Sequence, residues 1–189
     1  MDIPDLEIIE GAYDPAEDSY LFAENLEVKK GEKVLDMGTG SGILAIIAAG
    51  QGTQVTAVDI NPQALECARR NAQKNKVKID FLESDLFENV KGKFDLILFN
   101  APYVPTEAKE LGDIESVGWD GGEQGRRVII RFLKAAPRFL KPKGRIILMV
   151  SSLNDIMNDL GEAFKTKIVA EKALFFERLY LVELAPKKD

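Results

Sequence analysis

Short, near-continuous apolar runs alternate along the chain with longer stretches in which apolar positions recur every three or four residues. The first pattern suits strands buried on both faces, the second amphipathic helices. Residues 1–12 read as an irregular lead-in. Asp14-Pro15-Ala16-Glu17 reads as a helix start, with Asp14 capping, Pro15 in the first position and Glu17 completing a capping box; the helix runs to about Leu26. Lys33 to Gly42 is a short apolar strand, an acid at its end and a glycine-rich turn, and Ile43–Ala49 follows as a helix. Gln54–Asp59 is the second strand. Asn61 and Pro62 then cap and open a helix reaching about Asn75. Lys78–Glu83 and Phe94–Phe99 are the third and fourth strands, the latter apolar throughout after Asp95. A long loop is expected over residues 104–121 and a helix from Gly122 to about Leu140, which Pro137 bends or ends. Lys141–Gly144 reads as a turn, Arg145–Val150 as a strand and Asn154–Phe164 as a helix. Lys167–Ala170 and Leu179–Leu184 form a closing hairpin. Strand–helix alternation of this kind predicts an α/β fold: a seven-stranded, mostly parallel, doubly wound sheet with an antiparallel last strand and helices on both faces.

The glycine turn carries the first chemistry. Gly38, Gly40 and Gly42 match G-x-G-x-G, but Ile43 stands where a dinucleotide fingerprint needs its third glycine. Asp36, just before the turn, repels a pyrophosphate and attracts an ammonium. Together these favour S-adenosyl-L-methionine over a nicotinamide dinucleotide; a plain tight turn is the structural alternative. Asp59 ends the second strand 17 residues beyond Gly42, where an acid commonly bonds both ribose hydroxyls. Asp85, after the third strand, suits an adenine amine, with the next backbone amide reading the ring; a cap on a short helical turn is the structural alternative. Asn100-Ala101-Pro102-Tyr103 leaves the buried fourth strand at its carboxyl end. It offers a side-chain carbonyl, a backbone carbonyl beside a stiff proline, and a flat ring. Those groups suit gripping a planar –NH2, whose delocalised lone pair makes it a poor nucleophile until two acceptors orient it. An ordinary Asn-x-Pro turn is the alternative.

Composition narrows the chemistry further. The chain has 189 residues, 46% of them apolar, with one cysteine and no histidine. That is enough for one domain over 1–189 with a substantial core. It excludes an intrachain disulfide, histidine-dependent triads and dyads, and histidine or cysteine metal sites, so no metal is expected. Cys67 reads as a packing residue. The acidic N-terminus and the lack of any membrane-length apolar run point to the cytoplasm. A net charge of −6 argues against nucleic acid as a direct substrate. Arg126, Arg127, Arg131 and Arg138 are read as a solvated helix face or as partners for acids of the loop.

The motifs resemble the HemK-like class I methyltransferases, which methylate the side-chain nitrogen of the Gly-Gly-Gln glutamine in translation release factors. They are most similar to the archaeal and eukaryotic Mtq2-like branch. Tyr13-Asp14-Pro15-Ala16-Glu17-Asp18-Ser19 resembles the branch's Y-x-P-x-E-D-[ST]. Asp36–Gly42, Asp59-Ile60-Asn61-Pro62 and Ser84-Asp85-Leu86 resemble its three cofactor motifs, and Trp119–Arg126 its W-x-G-G-x-x-G-R segment. The resemblance implies a Rossmann-like class I fold, with residues 1–30 packing on the cofactor site. It places Ser19, Asp36, Gly38, Gly40, Asp59, Ile60, Asp85, Leu86 and Asn100 around S-adenosyl-L-methionine. It makes Asn100, Ala101, Pro102 and Tyr103 the catalytic segment that holds the target amide. It also implies a small, zinc-binding Trm112-like activator, for which Lys78–Glu83 offers an edge strand. The family motif is N-P-P-Y, so Ala101 replaces a proline; the carbonyl is kept but the backbone is freer. An adenine-N6 methyltransferase and a catalytically idle cofactor-binding scaffold stand as alternatives.

Overall fold

The computed structural model describes residues 3–101, 126–154 and 156–187. Pro102, Tyr103, the expected loop at 104–121, Trp119 and the expected helix start at Gly122 lie outside the described residues. Within them, one sheet contains β1 (Lys33–Met37), β2 (Gln54–Asp59), β3 (Asp80–Glu83), β4 (Phe94–Asn100), β5 (Leu140–Ser151), β6 (Phe164–Ala173) and β7 (Arg178–Pro186). Its order is β3-β2-β1-β4-β5-β7-β6. The first five strands pair in parallel, and β7 is antiparallel to both β5 and β6. The expected mixed sheet is therefore realised, with β3 at one edge.

Alternation explains why the central strands read as unbroken apolar runs. Leu96 and Leu98 of β4 face one layer, which contains α1 (Glu17–Glu24) and α2 (Ile43–Gly50). Ile97 and Phe99 face the other, where α4 (Arg126–Ala135) buries Ile129 and Phe132. Phe132 meets Phe99 at 4.4 Å and Phe87 at 5.4 Å between ring centroids. With both faces covered, each strand must be apolar on both sides. Chain order reverses between β1 and β4, whose neighbouring ends form the topological switch point where such sheets bind ligands.

Helix α3 (Pro62–Lys74) begins as expected: the Asn61 side chain accepts from the Gln63 N–H at 2.9 Å, with Pro62 in the first turn. The same helix straps down the lead-in. Asn71 Oδ1 accepts from the Glu7 N–H at 2.8 Å, and its Nδ2 donates to the Glu7 and Ser41 carbonyls. Asn75 brackets Asp5 in the same way, and Asn61 Nδ2 donates to the Gly11 carbonyl.

Several boundaries differ from expectation. Helix α1 starts at Glu17, with Ala16 extended at its N-cap and no side-chain cap. Asp14 and Pro15 stay outside, and Asp18, which a capping turn would leave at the surface, is turned inward. Pro137 does end α4: the helix stops at Ala135 and a 3-10 turn covers Ala136–Phe139. Proline lacks the N–H the next α turn would need. Leu140 then opens β5, which absorbs the expected turn at Lys141–Gly144 through a register shift opposite Phe94. A β-carbon on Gly144 would lie 2.9 Å from the Phe94 carbonyl oxygen, so glycine permits that close approach. The expected helix from Asn154 divides into a 3-10 turn at Ser152–Asn154 and α5 (Met157–Ala163), with Phe164 already in β6.

Candidate active site

The turn after β1 takes its shape from three glycines in left-handed conformations, φ +65° at Gly38, +53° at Gly40 and +86° at Gly42. A side chain at such φ values is strained. Gly42 is also closely packed, since a β-carbon there would lie 3.0 Å from the Ala68 β-carbon on α3. Ile43 is the first residue of α2, so the missing third glycine is a buried helix start.

Two acids fix this turn. Asp36 is only 1% exposed and accepts from Thr39 Oγ1 at 2.7 Å. Its carboxylate lies beneath the turn and braces it, rather than standing open at its mouth. Burial pushes its pKa up to about 7, against the pull of Thr39 and the Ala45 N–H, and the Asp59 charge adds to the rise. Asp59 closes β2, with one oxygen accepting from the Gly40 N–H at 3.0 Å and the other from the Asn61 N–H at 2.9 Å. Burial raises its pKa too, opposed by the Asn61, Gly40 and Ile60 amides. A carboxylate has roughly four lone-pair sites, so capacity for a ribose hydroxyl remains. Beside it Ile60 is exposed and apolar, able to lie against a purine ring.

Beyond β3, Ser84 Oγ accepts from the Asn89 N–H at 2.9 Å, so Ser84 is the residue that caps this short turn. Asp85 accepts from Arg131 Nη2 of α4 at 2.8 Å, so this arginine pairs with a candidate acid beyond β3. Leu86 has φ +48°, an uncommon conformation for a branched side chain, and it turns the backbone beyond β3. Arg126 pairs with Asp159 on α5. Cys67 is buried in α3 with Sγ toward the Glu7 carbonyl, as a packing residue would be.

The grip expected at Asn100 has a feature the sequence reading lacked. Asn100 ends β4, one residue past the Phe99–Met37 pairing, and so faces the glycine turn. Its Nδ2 donates to Asp18 Oδ2 at 2.9 Å and to Ser19 Oγ at 3.2 Å. Tyr13 Oη donates to the other Asp18 oxygen at 3.0 Å. Burial and the Asp18 charge both push the Tyr13 pKa up, so it stays a phenol and a donor. A carboxylate can only accept, so the amide nitrogen of Asn100 must face it. Its Oδ1 turns the other way, buried and without a partner among the described residues. Donation to Asp18 draws positive charge onto Nδ2 and enriches Oδ1 as an acceptor. Ala101 follows, buried in place of the family's proline. Asp18 and Tyr13 lie within the quoted Tyr13–Ser19 motif. An acid directly before Ser19, with a tyrosine five residues upstream, was the available signal.

Ionising Asp36 opposes folding. Below its ordinary value of 3.8 both folded and unfolded chains hold the proton and no penalty arises. As pH rises toward about 7 the unfolded chain releases it first, so stability falls across that window. Urea titrations of the wild-type chain and Asp36→Asn from pH 4 to pH 7 should therefore diverge, the wild type losing up to on the order of 4 kcal/mol relative to the variant. A pH-independent difference would contradict the buried-acid account.

The methyltransferase small domain family matches residues 11–116. A protein of Methanocaldococcus jannaschii that carries the name of a protein N5-glutamine methyltransferase is 43% identical over 176 residues, covering 90% of this chain and 89% of its own. The human methyltransferase HEMK2 is 37% identical over 172 residues, covering 82% and 78%. Among solved structures, the E. cuniculi Mtq2 of the Mtq2–Trm112 complex superposes with a TM-score of 0.72 at 26% identity, covering 94% of this chain and 99% of that one. With its glycine turn, acid-ended strands and Asn100 in the arrangement such sheets use, the chain belongs to the methyltransferase small domain family and, within it, to the Mtq2-like branch of the HemK-like class I S-adenosylmethionine-dependent methyltransferases.

Proposed function

We propose that this chain methylates the N5 nitrogen of the glutamine in the Gly-Gly-Gln motif of a translation release factor. The observation that carries the reading is Asn100 Oδ1, a buried acceptor with no partner among the described residues, whose own amide is locked by Asp18 and Ser19. An orphaned buried acceptor is costly by about 1–3 kcal/mol unless a donor arrives, and a carboxamide –NH2 is such a donor. The names of the M. jannaschii and E. cuniculi relatives support the same chemistry; the latter complex is described as methylating the eRF1 termination factor.

S-adenosyl-L-methionine supplies an electrophilic methyl group on a sulfonium. Asp59 and Ile60 suit its ribose and adenine, and Asp85 and Leu86 flank the adenine end. The glycine turn lets the backbone approach. Asn100 Oδ1 and the Ala101 carbonyl accept the two amide hydrogens, aim the nitrogen lone pair at the methyl carbon, and meet the positive charge that grows on nitrogen. The proton leaves after transfer, so no histidine is required. Pro102 and Tyr103 follow Ala101 in the sequence, and a tyrosine ring suits stacking on a planar amide.

A Trm112-like partner fits the β3 edge. Among the described residues β3 pairs only with β2, so its other side has backbone groups open to a further strand. A release-factor substrate places the work in the cytoplasm, and no helix among the described residues is long and apolar enough to cross a membrane.

The test mixes the purified chain, with and without a Trm112-like subunit, with labelled donor. The acceptors are a release factor, its Gly-Gly-Ala version, and duplex or single-stranded DNA. Label on the intact release factor alone is expected. Label on DNA alone would favour an adenine methyltransferase, and label on nothing a scaffold. Asn100→Ala should lower turnover by about a hundredfold or more while donor affinity stays within a few-fold. Asp59→Ala should do the reverse, raising the donor's Kd about tenfold or more. Hydrogen exchange on adding the partner should slow at Asp80–Glu83; protection only elsewhere would overturn the docking site.

A further inference from the structure

The hairpin joining β6 and β7 ends in Leu174-Phe175-Phe176-Glu177, closed by the Leu174 N–H donating to the Glu177 carbonyl at 2.8 Å. Phe175 and Phe176 are its central residues, 92% and 85% exposed, stacked edge-to-face on each other at 4.6 Å. Nothing in the turn calls for them. Tight hairpin turns favour Gly, Asn or Asp at these positions, commonly with positive φ, and neither phenylalanine has it. Two large apolar side chains held in water contribute little to folding.

Their placement is informative. Because β7 runs antiparallel to β5, the hairpin projects from the carboxyl edge of the sheet, the edge that carries Asn100. Asn100 pairs with Met149 and Met149 with Leu181, so the chain runs from that row directly up to the tip. Its base is fastened: Ser151 bonds Glu177, and the Arg178 N–H donates to Ser152 Oγ at 2.9 Å. Lys172 pairs with Glu17 of α1, next to the Asp18 and Ser19 that hold Asn100. The aromatic tip thus stands roughly 10 Å beyond Lys172 at strand rise, and Lys172 itself is paired to the helix that positions Asn100. Leu153, also exposed, lies beside the base of the hairpin.

We infer that Phe175 and Phe176 are a docking tip for the body of the protein substrate, seating in an apolar pocket next to the loop that presents the target glutamine. This rests on the proposed release-factor activity. A glutamine on a folded protein brings surface to both sides of the site, and paired aromatics are the side chains that anchor such contacts. A membrane is disfavoured by the net charge of −6.

The experiment compares the wild-type chain with Phe175→Ser/Phe176→Ser on the whole release factor and on a short peptide spanning Gly-Gly-Gln. The variant should raise KM for the whole factor at least tenfold, leave its kcat, donor Kd and melting temperature close to wild type, and leave kcat/KM for the peptide unchanged. Phe175→Tyr/Phe176→Tyr should keep the low KM. Equal KM values for variant and wild type on the whole factor would overturn the docking role while leaving the activity standing. Equal losses on factor and peptide would overturn it too, by assigning the tip to the transfer site. A wild-type chain that methylates no release factor would sink both readings. A variant that changes only oligomeric state or vesicle binding would replace the occupant with a second copy or a lipid surface.

Discussion

A carboxylate cannot donate a hydrogen bond, and the orientation of Asn100 follows from that. Asp18 fixes which end of the carboxamide looks inward, Ser19 and Tyr13 fix Asp18, and the oxygen left over is the acceptor on which the proposed transfer relies. The arrangement depends on α1 lying across the carboxyl end of β4. That in turn depends on the apolar face of α1, where Leu21, Phe22 and Ala23 pack against the sheet and α2. A short helix with no side-chain cap is held by burial rather than by its own propensity.

The glycine turn after β1 is held in a different way. Asp36 and Asp59 are both buried and both raised in pKa, yet they act on opposite sides of one loop. Asp36 holds the turn from beneath through Thr39, and Asp59 holds it from the neighbouring strand through the Gly40 amide. Positive φ at three glycines is thereby fixed in place before any ligand arrives, which is preorganisation in the ordinary sense.

Much of this was legible in the residues. The periodicity of Gln54–Asp59 and Phe94–Phe99, the Asn61-Pro62 start and the glycine spacing each have a local cause, and each element formed where its cause lies. The misreadings have non-local causes. Asp14-Pro15-Ala16-Glu17 carries a good capping signal, but the competing partner for this segment was Asn100, 82 residues from Asp18. Lys141–Gly144 reads as a turn by composition and lies inside β5, as the irregularity between the Phe94–Leu140 and Leu96–Arg145 pairs. Asp18 itself was visible as a motif letter; its task was not, because only the fold brings β4 to it.

The two rims of the sheet are not alike. β3 is four residues long and, among the described residues, unpaired on one side, whereas β6 breaks its register between Ile168 and Ala170 and carries Lys165, Lys167, Glu171 and Lys172 along an exposed edge. Irregularity and charge of this sort repel a strand from another chain. Strand addition is thereby disfavoured at the β6 rim, so an assembly built from the β3 rim closes after one addition.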